Sequence, residues 1–482
     1  MVERQKPHPN ILLVVIDSLR AKNLDMYASG SRLTPNINEV ANEGVVFEDA
    51  YSAWNTTDQA LTTVFTGKYP LSHGIVHHGD RITGEDLAAF ERTGTRTLAE
   101  ILEQYGYETF AVDWMGRWFK KGFSSYGIKT ERSLAKIISS FTRYTANHID
   151  IFFQYKDTRK LRIPSPKDVM TVLRTFLFTK ELAQVQDAAY VTDSAIESIM
   201  NIKKGSFLLF LHYWDTHTPY NCPREYATYR GPDRRMRLIG RYNGAIQYVD
   251  HELSRLFREL KVRSLWDDTI VIITSDHGES LTEHGIFFDH HGLYDVTIHV
   301  PLILRYPGIS QRARRVKGFV QHIDLVPTIL AILGIDAKKL NLDGTSLIPL
   351  IQNEVSEIRP FIYCEESYVQ KKRVLRTREY KYICAVDGVG YCSYCHRVHG
   401  GPEELYDLER DHLEQVNVVK QNPNIRTDLK KRLEDFISDL TFRRDRQITE
   451  EDQAQSGDDT YTYSPEEEKE IERRLRSFGY ID

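Results

Sequence analysis

Ile11-Leu-Leu-Val-Val-Ile16 is unbroken by any polar residue and rich in β-branched side chains. A half-exposed strand alternates apolar and polar positions, so this run predicts a strand buried on both faces of a parallel sheet. Phe207–Leu211, Thr269–Thr274 and His299–Leu304 repeat the pattern. Between them, Thr34–Glu43, Thr97–Tyr105, Asp187–Ile202 and Asn243–Leu260 carry apolar residues at helical spacing. Strands alternating with helices predict an α/β fold with a mostly parallel sheet flanked by helices. After about residue 356 the apolar runs shorten. Phe361–Cys364, Arg373–Thr377 and Tyr380–Val386 predict short strands and Asn424–Leu440 a helix, together a smaller α+β domain.

Two segments break this order. Residues 116–180 hold 14 Lys or Arg against 4 Asp or Glu and show helical windows but little strand pattern. They predict a helical basic insertion over 116–186, either a solvated face or a lid that attracts an anionic substrate. Residues 443–460 are polar and charged and predict a linker. Ser464-Pro465 then supplies a cap and a first-turn proline for a terminal helix. The expected division is a large α/β domain over 1–355, a small C-terminal α+β domain over 356–442, and a charged linker with a terminal helix over 443–482.

Composition narrows the class further. Over 482 residues, 41% hydrophobic and 27% charged positions are ordinary for a globular protein and exclude a collagen-like or low-complexity chain. A net charge of −5 advertises no nucleic-acid partner. No run of about 18 apolar residues exists, so no transmembrane helix is expected. The first residues lack an apolar signal region, which makes a cytoplasmic location the expectation. Five cysteines, Cys222, Cys364, Cys384, Cys392 and Cys395, do not make a disulfide scaffold and read as free thiols. Nothing in the pattern sets an oligomeric state.

In an open α/β sheet, functional groups gather at the C-terminal ends of strands. Asp17 ends the first run, Asp215 and His217 follow the Phe207 run, and Asp276-His277-Gly278 ends the Thr269 run. Carboxylates and imidazole in these positions suit a divalent metal site. Any one of them alone also fits a helix cap; the set does not.

Ordered motifs along the chain are similar to those of the sulfatase family of the alkaline phosphatase superfamily. They begin with Pro9-Asn-Ile-Leu-Leu-Val-Val-Ile-Asp-Ser-Leu-Arg20, Thr34-Pro-Asn-Ile and Gly44-Val-Val-Phe-Glu-Asp-Ala-Tyr51. Thr66-Gly-Lys-Tyr-Pro70, His73-Gly74 and His212-Tyr-Trp-Asp-Thr-His-Thr-Pro-Tyr220 follow. Ser275-Asp-His-Gly-Glu279, Val300-Pro-Leu-Ile, Asp324-Leu-Val-Pro-Thr-Ile and Glu404-Leu-Tyr-Asp-Leu408 complete the set. The resemblance implies an alkaline-phosphatase/sulfatase-like sheet with a smaller C-terminal domain. It also implies one divalent cation held by Asp17, Asp276, His277 and the nucleophile. Oxygen-rich ligation with one imidazole fits calcium, magnesium or manganese, with zinc also compatible. Many relatives carry a second Asp directly after the first, where this chain has Ser18.

The nucleophile segment departs most. The family carries Cys or Ser in Cys/Ser-x-Pro-x-Arg, nine residues before the Thr of Thr-Gly-x-Tyr-Pro, and oxidises it to formylglycine. Here that position is Thr57, the Pro is Gln59 and the Arg is Leu61. Thr56 is a one-residue alternative, and a hydroxyl here could also simply cap a helix. Thr cannot become formylglycine by that route. A formylglycine hydrate expels sulfate through its second hydroxyl, whereas a Thr sulfate has no such escape. A Thr phosphate can be opened by attack at phosphorus. Thr57 therefore tilts the expected chemistry toward phosphate or phosphonate esters, while the family resemblance keeps sulfate esters in play.

By the same resemblance, His217 is the expected leaving-group donor. His290 or His291 stands near the family's substrate-binding Lys and could contact the anion or ligate a second metal. Asp215 could join such a site or orient His217. Arg117, in Gly116-Arg-Trp-Phe119, could replace the Lys of a Gly-Lys-x-His motif, with Phe119 removing its His. The implied partner is a small anionic ester, with a glycan or a phospholipid head group as its organic part. A phosphoryl transferase or mutase, and a degenerate member that binds ligand without turnover, are the alternatives.

Cys392-Ser-Tyr-Cys395-His396 fits the string of c-type haem attachment, but that attachment follows export and no export signal is seen. Cys392, Cys395, His396 and His399 could instead hold structural zinc. Without metal, the segment reads as a β-hairpin with turn signals at Gly388–Gly390.

Overall fold

The computed structural model describes residues 8–28, 32–127, 187–202, 205–308, 314–393 and 395–454. Its large sheet contains β1 (Asn10–Ile16), β2 (Val45–Tyr51), β3 (Glu108–Val112), β4 (Ser125–Tyr126), β5 (Phe207–Tyr213) and β6 (Thr269–Thr274). A small ribbon, β7 (Ser280–Leu281) with β8 (Phe287–Asp289), precedes β9 (Leu302–Arg305) and β10 (Arg314–Gln321). The strand order of the large sheet is β10-β2-β9-β6-β1-β5-β3-β4.

β1 lies between β5 and β6 and runs parallel to both. Its side chains alternate between two cores. Ile11, Leu13 and Val15 enter one, with Leu61, Val64 and Phe65 from the helix Thr57–Thr66. Leu12, Val14 and Ile16 enter the other, with the helices Pro35–Glu43, Ala188–Met200 and Arg234–Val262. Burial on both faces explains the unbroken apolar run.

Not every strand follows the parallel expectation. β9 overlaps the end of the predicted His299–Leu304 run but is antiparallel to both β2 and β6. Apolar content marks burial but not direction. β10 escapes the pattern because it is an edge strand whose first residues are charged and exposed. Its register shifts between Val316 and Phe319, where Gly318 adopts φ +125°. Residues 116–127 also depart from expectation. Trp118 and Phe119 are buried and Ser125–Tyr126 pair with β3, so this stretch is core rather than the start of a helical insertion. The basic segment 128–186 lies outside the described residues.

The small domain is an antiparallel sheet of β11 (Ile362–Glu366), β12 (Lys372–Arg376), β13 (Tyr380–Ala385) and β16 (Glu403–Asp407), with a hairpin of β14 (Tyr391–Cys392) and β15 (Arg397–Val398). One face packs Tyr363, Leu375, Tyr382 and Leu405 against Leu429, Leu433 and Leu440 of a long helix, Pro423–Ala454. The other packs Ile362, Cys364, Val374 and Ile383 against Tyr51, Leu293, Tyr294 and Phe319 of the large domain. Both faces are therefore covered, and the small domain is fixed beside the large one. The helix continues through 443–454, where polar composition predicted a linker. Lys68 Nζ donates to Gln447 there at 2.7 Å. The predicted terminal helix at Ser464 lies outside the described residues.

Candidate active site

Placing β1 between β5 and β6 brings three strand ends together. Asp17 leaves β1, and Asp276 and His277 leave β6. The loop after β2 crosses the same edge and delivers the first turn of the helix Thr57–Thr66. The ligand atoms of Asp17, Asp276 and His277 lie within 4.8 Å of one another, and all three residues are fully buried. Thr57 Oγ1 is 3.4 Å from Asp17 Oδ2 and 3.4 Å from His277 Nε2. The Thr56 hydroxyl is used differently: it donates to Gln59 Oε1 at 2.6 Å. Of the two candidate threonines, Thr57 thus faces the cluster. Leu61, in the place of the family's Arg, is buried in the apolar core.

Ser18 does not replace the missing carboxylate as an acceptor. Its hydroxyl donates to Asp17 Oδ1 at 2.8 Å and its backbone N–H to Asp276 Oδ1 at 3.1 Å. The backbone N–H of His277 also donates to Asp276 Oδ1, at 2.9 Å. Among the described residues, Asp276 Oδ2 is buried without a hydrogen-bond donor, 3.3 Å from His277 Nε2. Burial and the neighbouring Asp17 charge push the Asp276 carboxyl up to about 7. Burial pushes His277 down to about 4, keeping it neutral, and its Nδ1 lies 2.9 Å from the Gly278 carbonyl. With Nδ1 donating there, Nε2 presents its lone pair to the cluster. Two buried carboxylates, an oxygen without a donor and a neutral imidazole fit a hard or borderline divalent cation.

Gly278 sets the approach of this segment. Its N–H donates to the Thr297 carbonyl at 2.7 Å, and an added Cβ would lie 2.2 Å from the Val296 carbonyl oxygen. Gly278→Ala must therefore displace His277. We expect kcat/KM to fall by about 10²-fold with a lowered melting temperature. Steady-state kinetics and thermal melting check this; a variant that keeps both would show that the segment can shift harmlessly.

His212 was not anticipated from sequence. It sits inside β5, fully buried between Asp113 Oδ1 at 3.0 Å and Asp17 Oδ2 at 3.6 Å. Burial opposes its protonated form, but the two carboxylates outweigh burial and lift its pKa to about 10. Burial would also raise Asp17, yet the surrounding histidines, His217 first, hold it below the ordinary carboxylate range. The available signal was a lone histidine in an otherwise apolar strand.

The remaining predicted residues divide. His217 packs beside Trp214 at 5.4 Å and His290 at 5.9 Å between ring centroids, with Nδ1 2.6 Å from the Thr218 carbonyl. His290 stacks on His277 at 4.2 Å, and its Nδ1 lies 2.6 Å from the Asn55 carbonyl. Asn55 Nδ2 donates back to the His290 carbonyl at 3.0 Å, clamping the two loops together. Arg117 is buried with its Nε 3.5 Å from Asp58 Oδ1, next to Thr57 in sequence. His78, another residue missed from sequence, meets the same carboxylate at 2.8 Å. Asp215 is buried where its charge raises the Tyr213 and Tyr248 phenols, for which burial is the larger cause. His291 does not accompany His290. Its ligand atom joins those of Cys392, Cys395 and His399.

The family model described as Sulfatase matches residues 9–335. The chain belongs to the sulfatase family. As a sulfatase-family protein it is an ester hydrolase, and the family generally binds a divalent metal ion. A second family model, N-sulphoglucosamine sulphohydrolase, C-terminal, matches residues 282–439. The chain is 21% identical to N-acetylglucosamine-6-O-sulfatase of Bacteroides thetaiotaomicron, over 86% of this chain and 83% of that protein. It is 24% identical to Delta 4,5-hexuronate-2-O-sulfatase of the same organism, over 86% and 85%. The solved phosphonate monoester hydrolase of Agrobacterium radiobacter shares the fold with a TM-score of 0.66 at 21% identity, covering 90% of this sulfatase-family chain and 96% of that chain.

Proposed function

We propose that this protein is a divalent-cation-dependent hydrolase of small anionic esters that uses Thr57 as its nucleophile and favours phosphorus esters over sulfate esters. The observation that carries this reading is the Thr57 hydroxyl, 3.4 Å from both Asp17 and His277 at the first turn of a helix. Asp17, Asp276 and His277 would hold the cation. When bound, it would lower the pKa of a hydroxyl beside it and offset developing negative charge.

Thr57 Oγ attacks phosphorus, its proton passing to solvent, as the bond to the leaving oxygen breaks. The helix N-terminus that carries Thr57 favours the anion forming there. His217 would serve the leaving group. Its Nδ1 is committed to the Thr218 carbonyl, so it would deliver the proton from Nε2. Water then attacks phosphorus and returns a proton to His217, the bond to Thr57 Oγ breaks, and Thr57 takes up a proton from solvent. His290 would face the anion from across the His277 ring. Arg117 supports the site through Asp58, one residue from the nucleophile, rather than as a lone anion contact.

The relatives' names favour a sulfate ester of a sugar, which makes sulfate hydrolysis the second reading. A rate comparison on aryl sulfate, aryl phosphate, diaryl phosphate and aryl phosphonate, each with calcium, magnesium, manganese or zinc, separates them. The expected result is a kcat/KM for one phosphorus ester at least ~10-fold above that for the sulfate. A sulfate preference of that size would overturn the argument from Thr57.

A further inference from the structure

We propose that His291, Cys392, Cys395 and His399 bind one structural zinc ion that ties the β14–β15 hairpin to the active-site loop. Their ligand atoms lie within 4.8 Å of one another, and all but the half-buried Cys395 are buried. Zinc with about 2.3 Å bonds to sulfur and about 2.0 Å bonds to nitrogen sets ligand atoms roughly 3.3–3.8 Å apart, so small side-chain rotations close the set. Two thiolates and two imidazoles are a tetrahedral donor set suited to zinc and poorly suited to calcium or magnesium.

The surroundings are those of a metal site. His291 Nδ1 lies 3.1 Å from Asp289 Oδ1, and His399 Nδ1 lies 3.4 Å from the His284 carbonyl oxygen. Each imidazole thus has an oxygen partner on Nδ1, the arrangement that orients Nε2 toward a metal. His399 Nε2 is 2.8 Å from Cys395 Sγ. The backbone N–H of Cys395 points at Cys392 Sγ at 3.5 Å, a contact that stabilises a thiolate. The ligand set differs from the one the hairpin's sequence suggests. His396 takes a left-handed φ of +58° and turns its Nδ1 to the Tyr391 hydroxyl at 2.9 Å. His291, about a hundred residues earlier in the chain, replaces it.

The consequence is mechanical. His291 follows His290, whose ring stacks on His277. The two residues are consecutive in the chain, so an ion that fixes His291 also fixes the backbone that presents His290. On binding, two thiol protons pass to solvent and no redox change occurs.

The test is metal analysis of the full-length protein after dialysis into zinc-free buffer containing magnesium. About one zinc ion per chain should remain. Cys392→Ser/Cys395→Ser should lose it, while His396→Gln should keep it. Asp276→Asn should also keep it, which separates this ion from one at Asp17, Asp276 and His277. If the double variant does not fold, the wild type still decides. Replacing the zinc by cobalt should give thiolate-to-cobalt charge-transfer absorption. Absence of that absorption, less than about a tenth of a zinc per chain, or a Cys392–Cys395 disulfide in the purified protein would each overturn the proposal.

Discussion

Thr57→Ala is expected to lose on the order of 10³-fold or more in kcat on whichever ester the wild type turns over fastest. The substitution keeps the helix start but removes the hydroxyl placed to attack. Thr56→Ala should change kcat by no more than about threefold, because its hydroxyl serves Gln59. Thr57→Ser keeps the hydroxyl and should retain substantial turnover. A second readout is covalent: rapid acid quenching of a phosphorus ester reaction should leave phosphate on the peptide carrying Thr57. Full activity in Thr57→Ala would mean that water attacks directly, and the nucleophile assignment would fall. Loss of activity in Thr57→Ala without any trapped adduct, on a substrate with a burst phase, would point instead to a positioning role.

Asp276→Asn should lose divalent-cation binding and, with it, at least ~10²-fold in kcat/KM. The substitution is nearly isosteric. Asn Oδ1 can still accept from the Ser18 and His277 backbone N–H groups now held by Asp276 Oδ1. The other position changes from a buried acceptor to an N–H₂ donor, which a cation repels. In the cation-free protein, the same change removes one of two buried carboxylates that repel each other. The variant should therefore melt no lower than the wild type in chelator, yet gain far less on adding magnesium, calcium or manganese. Isothermal titration and melting with and without each cation measure this. Unchanged cation affinity would remove Asp276 from the ligand set.

These two residues also show how much of the site was legible in the chain. Asp17 and Asp276-His277 each follow an apolar run of strand length, and the ends of neighbouring parallel strands converge on one sheet edge. Thr57 is implied by the resemblance to the family's nucleophile motif, and the structure adds which of two adjacent hydroxyls faces the cluster. Strand and helix identity were legible for the same reason: burial on both faces leaves an unbroken apolar run, and burial on one face leaves a period.

The rest depended on contacts between segments far apart in the chain. His212 reads as a polar interruption in a strand until Asp113 and Asp17 are set on either side of it. Arg117 and His78 share Asp58 only because β3 and the loop after residue 73 fold over the same helix start. The direction of β9 and the edge position of β10 follow from sheet order, to which apolar content is indifferent. The helix through residues 443–454 is mostly polar and charged in sequence, and partners such as Lys68 and Asp343 hold it against the large domain. His291 could not be assigned to the cysteine pair from spacing, because a metal site assembled from two domains has no local period. Which segments are buried, and which chemistry their ends carry, follows from local side-chain pattern and is readable along the chain. Which distant charges, thiols and imidazoles share a site depends on where the chain returns, and that is visible in the folded molecule alone.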